Sequence, residues 1–164
     1  MMMFLVRPAT ASDLSEILHI YNQGIEDRIA TLESELKDEV YMNQWFDKHQ
    51  ERYAVLVAEQ DHQVIGWASI NPYSPRSAYD GVGDLSIYIH RNHRGKGIGR
   101  QLLQKLETVG KENKFYKFVL FTFPFNNLGQ GLYHRAGYRE VGIFQNQGIL
   151  DGAFIDVMAM EKLL

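Results

Sequence analysis

Apolar positions along this chain change their period repeatedly, and each change marks a new element. "FLVR" at 4–7 reads as a first strand. Thr10 with Asp13 three residues later resembles a capping box with Asp in the acidic position. Leu14, Ile17, Leu18, Tyr21 and Ile25 then recur at helical spacing, which predicts a helix over about 11–24. A weaker helix at about 37–50 carries Val40, Trp45 and Phe46. "YAVLVAE" and "QVIGWASI", separated by "QDH", read as an antiparallel hairpin, and "DLSIYIH" follows the loop "NPYSPRSAYDG" as a third strand. Ile98, Leu102, Leu103, Leu106 and Val109 form one apolar helical stripe that ends near Gly110. "FYKFVLFTF" is another strand, a short helix at about 127–136 stops at Gly137, and "YREVGIF" and "FIDVMAMEKL" are the closing strands. The predicted order is β-α-α-β-β-β-α-β-α-β-β, a mixed α/β domain with the sheet as its spine.

Composition narrows the chemistry. The 164 residues suit one domain over 1–164 with a sizeable core, and neither repeats nor low-complexity linkers interrupt them. A net charge of -3 gives no reason to expect a nucleic-acid partner, so any basic patch is local and aimed at a small anion. The absence of cysteine excludes disulfides, thiolate metal sites and a cysteine nucleophile. "MMMFLVRP" is too short for a signal peptide or a membrane span, and no later segment reaches that length. A cytoplasmic protein without membrane contact is expected. The run of Met residues leaves the initiating residue open.

The stretch "HRGKGIGRQLL", 93–103, gathers Arg94, Lys96 and Arg100 around Gly95, Gly97 and Gly99 between a strand and a helix. Glycines allow a tight turn and close backbone approach, and the free N–H groups and dipole of the following helix favour an anion. The spacing is neither the dinucleotide fingerprint nor a P-loop. Taken alone, it also reads as a basic turn before an amphipathic helix. What it matches is Arg-x-x-Gly-x-Gly, "RGKGIG", which resembles the acyl-CoA pyrophosphate loop of the GNAT superfamily of N-acetyltransferases. "RPATASDL", "IYNQGI", "RSAYD" and the ending "GAFIDVMAMEKLL" look closest to the phosphinothricin and methionine-sulfoximine acetyltransferase branch. The ending carries Gly152, Asp156, Val157 and Met160 in that branch's spacing.

The resemblance implies the acyl-CoA N-acyltransferase fold: a mainly antiparallel central sheet flanked by helices. It also implies acetyl-CoA as cosubstrate and the primary amine of a small amino-acid-like molecule as acceptor. Such transfer needs the amine deprotonated, the oxyanion stabilised and the thiolate protonated, without a metal. The branch's basic residue maps to Asp84, where the branch carries the longer Glu. Desolvation in an apolar strand would raise the pKa of Asp84, although Asp also simply ends loops. Backbone groups of Ile87, Tyr88 and Ile89 would pair with the cofactor arm and hold the oxyanion. Together with Ile98, the residues Arg94, Gly95, Lys96, Gly97, Gly99 and Arg100 would hold the pyrophosphate. Asn126 would hold the arm near the next helix, and Tyr133, seven residues on, would be the acid; a core aromatic is the plainer reading of Tyr133.

Tyr73, Arg76 and Tyr79 are candidates for the acceptor site, with Arg76 matched to an anionic group or simply solvated. Arg28, Thr31 and Glu33 are weaker candidates. Gly129 and Gly131 depart from the family pattern inside a helix. His19, His49 and His62 read as superficial, and no histidine spacing suggests a metal. Related enzymes are often dimers, which leaves a homodimer open. Two other readings stand beside the leading one: acetylation of a protein or peptide, and a non-catalytic acyl-CoA sensor.

Overall fold

The capping box at Thr10 forms, but the first turn behind it is not α-helical. The Thr10 N–H donates to the Asp13 carboxylate at 2.8 Å, and Ala11–Asp13 is a 3₁₀ turn. Helix α1 therefore runs Leu14–Asp27, later than the periodicity predicts. Asp13 stays with the turn because Arg7 grips both its oxygens, at 2.8 and 2.9 Å, and ties the turn to strand β1, Leu5–Pro8. Helix α2, Glu39–Asp47, is shorter than predicted, because Asp38 caps it by accepting the Tyr41 N–H at 2.9 Å. Its apolar face also differs from expectation: Val40 is 64% exposed while Met42 is buried.

The computed structural model describes residues 3–164. The remaining elements are β2 (Val55–Gln60), β3 (Gln63–Pro72), β4 (Val82–Ile89), α3 (Ile98–Glu112), β5 (Lys117–Thr122), α4 (Asn127–Arg135), β6 (Arg139–Leu150) and β7 (Ala153–Leu163). Their order along the chain matches the order predicted. The strands form one sheet in the order β1-β2-β3-β4-β5-β7-β6, antiparallel except for the β4–β5 pair. The fold is thus mixed α/β with a mainly antiparallel central sheet.

Each face of the sheet buries one set of alternating residues. On one face Leu102, Leu103 and Leu106 of α3 pack against Leu56, Ile70, Phe118 and Met160. On the other Ile17, Ile20 and Met42 of α1 and α2 cover Val57 and Trp67. Helix α1 lies so close to β4 that a Cβ at Gly24 would stand 2.9 Å from the Tyr88 ring, which explains a glycine within a helix. Strand β6 runs past the predicted 144 because the register slips between Phe144 and Gly148, breaking the alternation that marks a strand. Val141, Ile143, Phe144 and Ile149 on it are exposed.

One irregularity positions the site. β4 and β5 pair only at Val82↔Lys117, Gly83↔Phe118 and Asp84↔Val119. Beyond Asp84 the two strands diverge, since β5 keeps pairing with β7 while β4 keeps pairing with β3. The sheet is split there.

Candidate active site

The split opens into a cleft of about 760 Å³ that runs from Asp84 along β4 to the turn preceding α3. Its backbone wall follows from strand parity. The His90 N–H donates to the Ile65 carbonyl at 2.9 Å, so Tyr88, two residues back, also spends its peptide groups on β3. Ile87 and Ile89 alternate with it and turn their N–H and C=O groups toward the split. Of the three backbone positions expected to meet a cofactor arm, the structure leaves Ile87 and the N–H of Ile89 open, while the Ile89 carbonyl accepts from Arg94 at 3.3 Å. Tyr88 contributes its ring instead, packed edge-on to Tyr21 at 5.1 Å.

The glycine turn lies at the far end of this edge. Gly95 (φ 77°) and Gly97 (φ 85°) occupy the left-handed region that a side chain disfavours, and this bend aims the start of α3 at the cleft. The N–H groups of the first helical turn have no partner within the helix, and an elongated anion would meet them there. Gly95, Gly97, Ile98, Gly99 and Arg100 line the cleft, whereas Lys96 is exposed and outside the lining. Arg94 lines it too, but its guanidinium is already committed. It donates to Asp27 at 2.7 Å and to the Ile89 carbonyl at 3.3 Å. Asp27, at the end of α1, is also held by Arg91 at 2.7 Å, and these two arginines keep its carboxyl below the usual range. The first basic residue of the motif thus anchors the turn to α1.

The two side chains expected to move protons, Asp84 and Tyr133, both line this cleft. Asp84 is half-buried, and desolvation pushes its carboxyl up to about 7, against weaker pulls downward from the Asn71 amide and the Leu85 N–H. Tyr133 enters from α4 on the same cleft, and burial pushes its phenol up to about 12. Asn126 caps α4: its side-chain oxygen accepts the Gly129 N–H at 3.1 Å. A Cβ at Gly129 would come within 2.6 Å of the Asn126 amide, which accounts for the glycine that the sequence leaves unexplained.

Other candidates lie elsewhere. Tyr73 and Tyr79 pack edge-to-face at 5.9 Å, but both rings and Arg76 are exposed and none lines the cleft. Arg28 grips Asp151, between β6 and β7, at 2.9 Å, and Glu33 pairs with Lys37 at 2.9 Å. The Thr31 hydroxyl lies by the phenols of Tyr21 and Tyr88. Gly24, Ile29, Ala30 and Thr122 line the cleft without having been singled out, having no charge or motif to mark them. His93 lines it as well, with a buried Nδ1 that makes no hydrogen bond. His49, read as superficial, is half-buried between Trp45 and Asn71. Among the described residues, no group of three histidines and carboxylates is placed to hold a metal, and no helix is long and apolar enough to cross a membrane.

Comparison with known proteins bears on this geometry. The family pattern described as "Acetyltransferase (GNAT) family" matches residues 15–138. An L-methionine sulfoximine/L-methionine sulfone acetyltransferase of Pseudomonas aeruginosa is 30% identical, over 95% of this chain and 92% of its own. A crystal structure of a phosphinothricin acetyltransferase from Sinorhizobium meliloti with acetyl-CoA is 28% identical, covers 99% of this chain and 89% of its own, and superposes with a TM-score of 0.94. A ribosomal-protein-alanine N-acetyltransferase from Brucella melitensis is 34% identical, covers 98% of this chain and 99% of its own, and gives a TM-score of 0.94.

Proposed function

The chain belongs to the acetyltransferase (GNAT) family, and from that premise we propose that it moves acetyl from acetyl-CoA to the primary amine of a small amino-acid-like acceptor. Acceptors of the phosphinothricin or methionine-sulfoximine type fit the relatives it resembles. The observation that carries the reading is one cleft holding a carboxyl with a pKa of about 7, a phenol and the anion-ready turn before α3.

Acetyl-CoA would lay its pyrophosphate on the N–H groups of Gly97, Ile98 and Gly99 and its arm along the open edge at Ile87 and Ile89. Arg100 and Asn126 flank that path. The acceptor ammonium gives a proton to Asp84, directly or through water, and the freed nitrogen attacks the thioester carbon. The oxyanion is held by a main-chain N–H at the split, of which Ile87 is the best placed. On collapse the C–S bond breaks as the C–N bond is kept; Tyr133 gives its proton to the leaving thiolate and regains one from the amide nitrogen, and Asp84 passes its proton to solvent. A base with its pKa near 7 is half-ionised at neutral pH and strong enough to accept a proton there. Tyr73, Arg76 and Tyr79 stay as acceptor contacts only if the loop 73–81 folds over the cleft or a second copy supplies it. The exposed apolar residues of β6 support such a homodimer.

The similarity to a ribosomal-protein-alanine N-acetyltransferase favours one second reading, acetylation of a peptide amine. Release of free CoA thiol decides between them, and the absence of cysteine keeps the protein's own thiol background at zero. Release with phosphinothricin, methionine sulfoximine or methionine sulfone, and none with a short Ala-initiated peptide, is expected. Release with the peptide alone moves the function to protein modification. No release with any amine, while CoA still binds, leaves an acyl-CoA sensor.

A further inference from the structure

Three cross-strand pairs stand in line on the face of the sheet that α1 and α2 cover: Trp67↔Tyr88, Ser69↔Ser86 and Asn71↔Asp84. The line passes from aromatic to polar and ends at the carboxyl. No charged side chain perturbs Asp84; its polar neighbours are the Asn71 amide from β3 and the Leu85 N–H. The residue across from it on β5 is apolar Val119, and the phenol of Tyr133 shares its cleft from α4. The amide of Asn71, directly across from Asp84 in the β3–β4 register, is therefore the side-chain polar group that bears on the carboxyl.

Both ends of that amide are fixed. Its oxygen accepts the Ser69 hydroxyl at 2.8 Å and meets His49 Nε2 at 2.6 Å, while its nitrogen donates to Ser86 Oγ at 2.9 Å. His49 lies just beyond α2. Its Nδ1 faces the Trp45 carbonyl at 2.8 Å, and its ring lies against the Trp45 indole at 4.2 Å. Both ring nitrogens of His49 face carbonyl oxygens, so in this arrangement the ring carries a proton on each; with Ser69 and that Nε2–H on the Asn71 oxygen, the N–H₂ end is the one that turns to Ser86 and Asp84. Reversing the amide would set its oxygen against an ionised carboxylate.

We propose that Asn71 is a positioning residue for Asp84 and that His49, held by α2, locks the orientation in which Asn71 presents its N–H to the carboxylate. The inference rests on Asp84 being the base. It gives α2, which contributes no side chain to the large cleft, a route to the reacting group. An N–H from Asn71 bonds the ionised carboxylate more strongly than the neutral acid and so favours the ionised form, partly offsetting the rise that burial causes.

The test is the pH profile of kcat/KM for the acceptor in four variants, each with its melting temperature. Asn71→Ala is expected to move the acid limb upward by about one pH unit, the scale of one hydrogen bond to a charged group. His49→Phe fills the same space without a donor and is expected to move the limb in the same direction by less. His49→Gln, which can again offer an N–H to the Asn71 oxygen, is expected to bring it back. Asp84→Asn separates the two layers of argument. If it removes turnover while the Asn71 and His49 variants leave the limb where it was, the positioning role is overturned. If Asp84→Asn keeps the rate and the limb, the base assignment itself has failed. Should Asn71→Ala not fold, the His49→Phe and His49→Gln pair, at a helix end, carries the test alone.

Discussion

Replacing Asp84 by Asn should make the protein more stable at pH 8 while making it a poor enzyme. The side chains are nearly the same size, so packing is preserved and only the cost of ionisation changes. Burial raises the Asp84 pKa from 3.8 to about 7. At 1.36 kcal/mol per pH unit this sets a ceiling of about 4 kcal/mol against the ionised folded state. Water from the open cleft and the retained polar neighbours reduce what Asn can recover, so a gain of about 1–2 kcal/mol is expected. For a chain of this length that is a rise in Tm of roughly 3–6 °C. The sign follows from proton binding: between the two values the folded state holds the proton more tightly than the unfolded chain. Wild-type stability therefore falls as pH rises from about 4 to 7, and the advantage of Asn is complete above that window and vanishes below it. Thermal melts of both proteins at pH 4.5, 6 and 8, beside thiol-release rates, make the comparison. A Tm difference that is absent at pH 8, or equal at all three pH values, would refute the desolvated carboxylate on which the base assignment stands.

Tyr133→Phe should lower kcat about 100-fold, as loss of a positioned acid does, and leave the KM for acetyl-CoA unchanged; an unaltered kcat removes Tyr133 from the reaction. Asp27→Asn should release Arg94 and Arg91 and raise the KM for acetyl-CoA about fivefold with little change in kcat, the scale of one half-exposed ion pair. A KM that does not move would show that the turn before α3 is set without α1. Gly129→Ala exchanges a gain in helix propensity for the loss of the Asn126 cap, each about 1 kcal/mol, so Tm should barely move. Its KM for acetyl-CoA should still rise, because the methyl displaces Asn126 from the cleft; calorimetric titration with CoA showing wild-type affinity would contradict that.

The chain order of elements was legible because it depends on local periodicity, and periodicity is a property of neighbours in sequence. Leu102, Leu103 and Leu106 reveal α3, and "RGKGIG" reveals a turn whose positive φ values at Gly95 and Gly97 only glycine takes easily. Asp84 is picked out by the family resemblance, at the position where the branch carries Glu. What could not be read is everything set by groups distant in sequence. Arg94 reads as a free cation until α1 brings Asp27 against it. Val40 reads as core until the packing of α2 chooses Met42 in its place. His49 reads as superficial until Asn71 arrives from β3 to meet it. Tyr73, Arg76 and Tyr79 read as acceptor contacts, yet nothing in those residues fixes where their loop lies. The sequence by itself determined which residue types the chemistry has at its disposal and which segments carry them. Tertiary structure decided which of those charges are already paired, which backbone edges are open at the split, and how dry the carboxyl is, because pairing and desolvation arise only when separate segments exclude water from each other.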